Sequence, residues 1–77
     1  MPDSFSATVG ATVRAELARR RLTQRQLAEV LGVSQTQVGR RLTGEIALNV
    51  DELALVATFL GMPVAELVGG GRAASAA

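Results

Sequence analysis

Leu22 to Gly44 reads LTQRQLAEVLGVSQTQVGRRLTG, and this stretch predicts two short helices joined by a sharp turn. Thr23 with Gln26 three residues on, and Ser34 with Gln37 three residues on, both have the spacing of a capping box. In such a box the hydroxyl accepts from an unpaired first-turn amide, and the Gln side chain reaches back to the cap's own N–H. Between the two pairs stands Gly32, followed by Val33. A helix C-terminus favours a left-handed residue there, which Gly supplies without a Cβ clash. Gly44, directly after Thr43, is a stop for the second helix. Leu27, Ala28 and Leu31 share one face of the first helix, and Val38 and Leu42 one face of the second. Ala28 is small where the two helices would cross closely. A helix of about eight residues turning sharply into another is the sequence form of a helix-turn-helix.

Working outward, residues 1–5 read as a loose arm, with Asp3, Ser4 and Ser6 as candidate caps and Phe5 as a staple ahead of the helix. A first helix is expected from about Ser6 to Arg20, with the stripe Val9, Val13, Leu17 and Phe5 extending it backwards. Gly10 interrupts that pattern. Arg19, Arg20 and Arg21 crowd the C-terminal end, where cations suit the helix dipole; some of them could also face phosphates. Beyond Gly44, Glu45 to Leu48 form a connector whose Ile46 and Leu48 plug the core. Asn49 and Glu52 form another cap pair. The helix they open carries Leu53, Val56, Phe59 and Leu60 on one face and stops at Gly61. Pro63 suits the first position of a short fifth helix, Pro63 to Val68, with Val64, Leu67 and Val68 apolar. Residues 69–77, GGGRAASAA, read as a disordered tail or a linker. The expectation is an all-α, compact five-helix domain over residues 6–68 with the helix-turn-helix at its centre.

Composition narrows the function. A chain of 77 residues makes one domain. It has no Cys and no His, so no disulfide, no thiolate metal site and no imidazole base is available. No run of about eighteen apolar residues could span a bilayer, and the N-terminus lacks the regions of a signal peptide. The expected compartment is cytoplasmic. The acids do not cluster with a base or nucleophile, and Gly69 to Gly71 follow a helix rather than a strand, so no phosphate loop is expected. No enzyme, no cofactor, no metal and no small-molecule substrate are expected. Aromatics are limited to Phe5 and Phe59, which argues against single strands bound by base stacking.

Net charge is only +1, but it is divided unevenly. Between Arg14 and Arg41 seven Arg face only Glu16 and Glu29; from Glu45 to Glu66 there are four acids and no base. The basic half holds the helix-turn-helix, as a nucleic-acid face would require. A solvated surface of mixed charge would read the same way. Every basic residue is Arg, whose planar fork suits phosphates and base edges. An Ala-rich, all-Arg chain is also what a GC-rich genome produces.

The stretch resembles the helix-turn-helix of the phage repressor and Cro family, also found in many bacterial regulators. The positions that carry the resemblance are Leu22, Gln24, Leu27, Ala28, Leu31, Gly32, Val33, Ser34, Val38 and Gly44. It extends weakly over roughly residues 8–68 and implies a lambda-repressor-like fold of helices. It departs from the family in one place. Three residues after Val38, where the family usually has an apolar side chain, stands Arg41, followed by Leu42 where the family often has an acid. Leu42 can still fill the stripe. Arg41 then lies at the margin, where it could pair with Glu45 or Glu52 or reach a phosphate. The RRL-G sequence resembles variants in actinobacterial and phage-like regulators.

The resemblance implies a double-stranded DNA operator as partner, read by two copies of the chain as a homodimer. It makes Gln35, Thr36, Gln37 and Arg40, on the second helix of the motif, the base-reading residues. Gln pairs with adenine, Arg with guanine, and a Thr methyl touches the thymine methyl. Gln37 could instead only complete the cap on Ser34. By the same resemblance Gln24 contacts phosphate and braces the recognition helix; amides at a helix N-terminus do attract phosphate. Ser34 could cap, bind phosphate or both, and Arg14, Arg25 and Arg41 are further phosphate candidates. The expected role is transcriptional repression, as in a phage immunity repressor. The alternative is a helical protein-interaction module that keeps the fold without DNA binding; such a module needs neither the Arg distribution nor Gln35, Thr36 and Gln37. Val64 and Val68 could form a dimer surface or only close the core.

Overall fold

The structure, a computed structural model, describes residues 4–69. Its helices are α1 (Phe5–Arg19), α2 (Gln24–Leu31), α3 (Gln35–Thr43) and α4 (Val50–Leu60), followed by α5 over residues 64–69. There is no strand among the described residues. The arm and tail read from the sequence fall mostly on residues 1–3 and 70–77, outside the described range.

The first helix begins one residue earlier than the sequence suggests. Ser4 is its cap: the Ser4 Oγ accepts from the Ala7 N–H at 3.0 Å. Phe5 therefore falls inside the helix rather than ahead of the cap, where a staple must stand. It is 63% exposed and does not extend the buried stripe.

Helices α2, α3 and α4 end on left-handed glycines, with φ of 71° at Gly32, 89° at Gly44 and 72° at Gly61. The end of α1 uses the same closure without a glycine. Leu22 N–H donates to the Leu17 carbonyl at 2.9 Å, as Val33 does to Ala28 at 3.1 Å and Met62 to Ala57 at 3.0 Å. In this closure the residue before the donor turns left-handed. Before Leu22 that residue is Arg21, at φ 57°.

All five helices contribute to one core: Val9, Val13 and Leu17 from α1, Leu27 and Ala28 from α2, Val38 and Leu42 from α3, Val56, Ala57 and Leu60 from α4, and Leu67 from α5. Leu22, Leu31, Val33, Leu48, Leu53, Phe59, Met62 and Val68 pack around it, half-buried. Leu48 thus fills the place expected of it; Ile46 is half-buried, with its N–H on the Arg40 carbonyl at 3.1 Å. No polar side chain is buried among the described residues.

The tightest crossing is α1 on α3. A Cβ on Gly10 would lie 2.4 Å from the Leu42 carbonyl oxygen and 2.6 Å from that of Arg41. Those are backbone atoms and cannot step aside. Gly10, an interruption in the sequence pattern, is the residue that lets α3 approach α1. The same crossing brings Gly44 onto the backbone of Ala7, 2.5 Å from where its Cβ would stand.

Candidate nucleic-acid interface

The two caps of the motif differ. At α2 the box is complete: Gln26 N–H donates to Thr23 Oγ1 at 3.0 Å, and Thr23 N–H donates to Gln26 Oε1 at 2.8 Å. At α3 only half of it forms. Ser34 Oγ accepts from Gln37 N–H at 3.1 Å, but the Gln37 side chain does not reach back. Its Oε1 accepts from Arg41 Nη1 at 3.3 Å instead. The competing donor carries a charge, and charged donors make the stronger bond.

Val38 and Leu42 seat α3 in the core, so its other side faces outward. Gln35, Thr36 and Arg40 are exposed there; Gln37 is half-buried at the edge. The side chains of Gln35 and Thr36 make no hydrogen bond to the described residues. Arg40 has a loose contact with Glu45 at 3.9 Å. Both side chains are well exposed, and such a pair holds little free energy.

Among the residues with an implied phosphate role, Arg14, Gln24, Arg25 and Ser34 are exposed, and neither Arg14 nor Arg25 has an acidic partner among the described residues. Arg41 is placed differently. Its Nε and Nη2 donate to the two carboxylate oxygens of Glu52 at 3.2 and 3.0 Å. The two side chains are only 12% and 13% exposed. Of the partners the sequence left open, Arg41 takes Glu52, which ties α3 to the first turn of α4. The spacing to Glu45 is four residues, but Gly44 ends the helix between them and takes Glu45 off that face.

The Glu52 carboxyl also completes the α4 box. Asn49 N–H donates to Glu52 Oε1 at 3.1 Å, and Glu52 N–H donates to Asn49 Oδ1 at 2.7 Å. The Arg41 hydrogen bonds hold the Glu52 carboxyl below the usual carboxylate range, against a smaller upward push from burial. The Asn49 amide and the charge of Arg41 act in the same lowering direction.

The Arg triplet also divides. Arg19 and Arg20 both pair with Glu16, and Arg20 Nε donates to the Leu60 carbonyl at 2.9 Å. Those two serve the fold: Arg20 caps the end of α4. Arg21 is exposed and has no acidic partner among the described residues. The signal that separates it was present in the sequence, because Glu16 stands three and four residues before Arg19 and Arg20 but five before Arg21. The unpaired cations of the described residues are thus Arg14, Arg21 and Arg25, all on or beside α1 and α2.

A buried inner face on α3, an open outer end and an α2 packed against it form the geometry of the motif. A profile described as Helix-turn-helix matches residues 13–67. The chain belongs to the helix-turn-helix family. The match begins within α1 and runs through Leu67 of α5, so the supporting helices belong to it as well as α2 and α3. Among solved structures the chain is similar to the clp gene regulator ClgR from C. glutamicum, at 29% identity and a TM-score of 0.78, over 84% of each chain. No curated protein matches it. No helix of the described residues is long and apolar enough to cross a membrane.

Proposed function

We propose that this chain binds double-stranded DNA sequence-specifically and acts, in the cytoplasm, as a transcriptional repressor of the phage-immunity kind. Residues 6–68 are its DNA-binding domain. The observation that carries the reading is the division of α3. Val38 and Leu42 anchor one side in the core, while Gln35 and Thr36 stand exposed with no side-chain hydrogen bond to the described residues. Helix-turn-helix proteins lay the second helix in the major groove with its N-terminal residues on base edges. Gln35, Thr36, Gln37 and Arg40 read bases there, and Gln24, Ser34, Arg14 and Arg25 hold the phosphates on either side. Arg41 is spent on Glu52 and is left out of the phosphate set. Two copies bind half-sites about one DNA turn apart, and the bound dimer occludes a promoter without catalysis.

Selection of bound duplexes from a random pool tests the whole reading. A recurrent half-site in inverted repeat is expected. Affinity for it should fall with salt, with a log–log slope of about −0.9 per phosphate neutralised. Gln35→Ala should lose most of the preference for the selected site while its melting temperature stays within a degree or two, as for an exposed substitution. Equal affinity for selected and scrambled duplexes would refute specific readout, and binding insensitive to salt would favour the protein-interaction module.

A further inference from the structure

The carboxamide of Gln37 is held at one end. Arg41 Nη1 donates to Gln37 Oε1 at 3.3 Å and to the Gln37 backbone carbonyl at 3.1 Å. The other nitrogens of the fork are fixed by Glu52, which the α4 cap holds in turn. A guanidinium carries only donors, so the part of the carboxamide turned to Arg41 must be its oxygen. The NH2 is the group left over. It has no hydrogen-bond partner among the described residues. No side-chain nitrogen or oxygen there is both buried and unpartnered, so this NH2 keeps some contact with solvent.

We propose that Gln37 reads DNA as a donor only, with Arg41 as the positioning residue that sets this polarity. The inference rests on α3 being the recognition helix. A bidentate Gln–adenine contact needs both ends of the carboxamide on the outer edge, the NH2 on N7 and the oxygen on the N6 amino group. Turning the oxygen outward gives up the Arg41 bond. With the oxygen kept inward, the outer NH2 suits the acceptors N7 and O6 of guanine, the O4 of thymine or, through one bond only, the N7 of adenine, and it opposes the N4 amino group of cytosine. The departure of this chain at Arg41 therefore changes what its neighbour one turn back can read.

Gln37→Glu tests the polarity. One carboxylate oxygen keeps the Arg41 bond, and the other puts an acceptor where the NH2 stood. In random-pool selection, wild type should disfavour cytosine at one position of the half-site. Q37E should turn that position to cytosine by about tenfold and leave the others unchanged. The double variant Arg41→Leu, Glu52→Leu removes the clamp without leaving a buried charge. Once its melting curve shows a folded domain, it should favour adenine at the same position more than the wild type does, because the freed oxygen adds the bond to the N6 amino group. A Q37E profile identical to wild type overturns the proposal, and a folded double variant with the wild-type profile overturns the role of Arg41. A wild-type chain that selects no sequence overturns the DNA reading itself, which separates that failure from this one.

Discussion

Gly10, inside α1, and Gly39, inside α3, share a local setting: helical backbone on both sides and no positive φ. Their surroundings are opposite. A Cβ at Gly10 would strike the carbonyls of Leu42 and Arg41, whereas a Cβ at Gly39 would meet nothing among the described residues within 4 Å. Gly10 belongs to the closed side of α3, where α1 crosses it and Val13, Val38 and Leu42 join one core. Gly39 lies toward the open side, among Gln35, Thr36 and Arg40. A helix-interior glycine with nothing over it weakens the helix by roughly 1 kcal/mol relative to Ala without any gain inside the fold.

The contrast can be tested from its closed side outward. Leu42→Ala empties the centre of the crossing and should destabilise by about 2–5 kcal/mol in denaturant titration; a loss under 0.5 kcal/mol would show that α3 is not seated there. Glu52→Gln removes the charge that Arg41 holds and should cost roughly 1.5–3 kcal/mol at neutral pH, the range for hydrogen bonds to charged groups. Its pH dependence is the sharper measurement. The Glu52 carboxyl is lowered in the folded state, so its contribution is present above the unfolded value and lost as pH falls through the folded one. The wild type should therefore lose stability on acidification below about pH 4.5, and the difference from Glu52→Gln should shrink over that interval. A constant difference down to low pH would contradict an ionised, clamped Glu52.

The two glycines then give effects of opposite sign. Gly10→Ala should lower stability by roughly 1–3 kcal/mol, as overpacking does, despite the better helix propensity of Ala. Gly39→Ala should raise stability by up to about 1 kcal/mol. If α3 lies against DNA, the added methyl should weaken binding while the melting temperature rises. Equal shifts at the two positions would dissolve the comparison.

Several parts of the fold were legible because their causes are local. The caps at Thr23, Ser34 and Asn49 and the stops at Gly32, Gly44 and Gly61 each depend on partners within about one helical turn, so fixed spacings reveal them. The apolar stripes likewise announced Val13, Leu17, Leu27, Val38, Val56 and Leu60 as core. Where the local reading failed, at Phe5, a choice between two serine caps only two residues apart moved the helix start. The left-handed turn at Arg21 was hidden because the closure of α1 has no glycine to mark it.

The sequence by itself determined the helices, their ends and the motif, since hydrogen bonds and stripes of period 3.6 are written in neighbouring residues. Only the tertiary structure decided the role of Gly10, the bond from Arg20 to Leu60, the partner of Arg41 and the direction of the Gln37 carboxamide. Each depends on residues brought together by packing: Gly10 meets Leu42 across two helices, Arg20 reaches the end of α4, and Arg41 reaches its first turn. No spacing encodes such a meeting, because the crossing of whole helices sets it. For this reason the family motif could be read from the chain, while the polarity with which Gln37 faces outward could be read only from the fold.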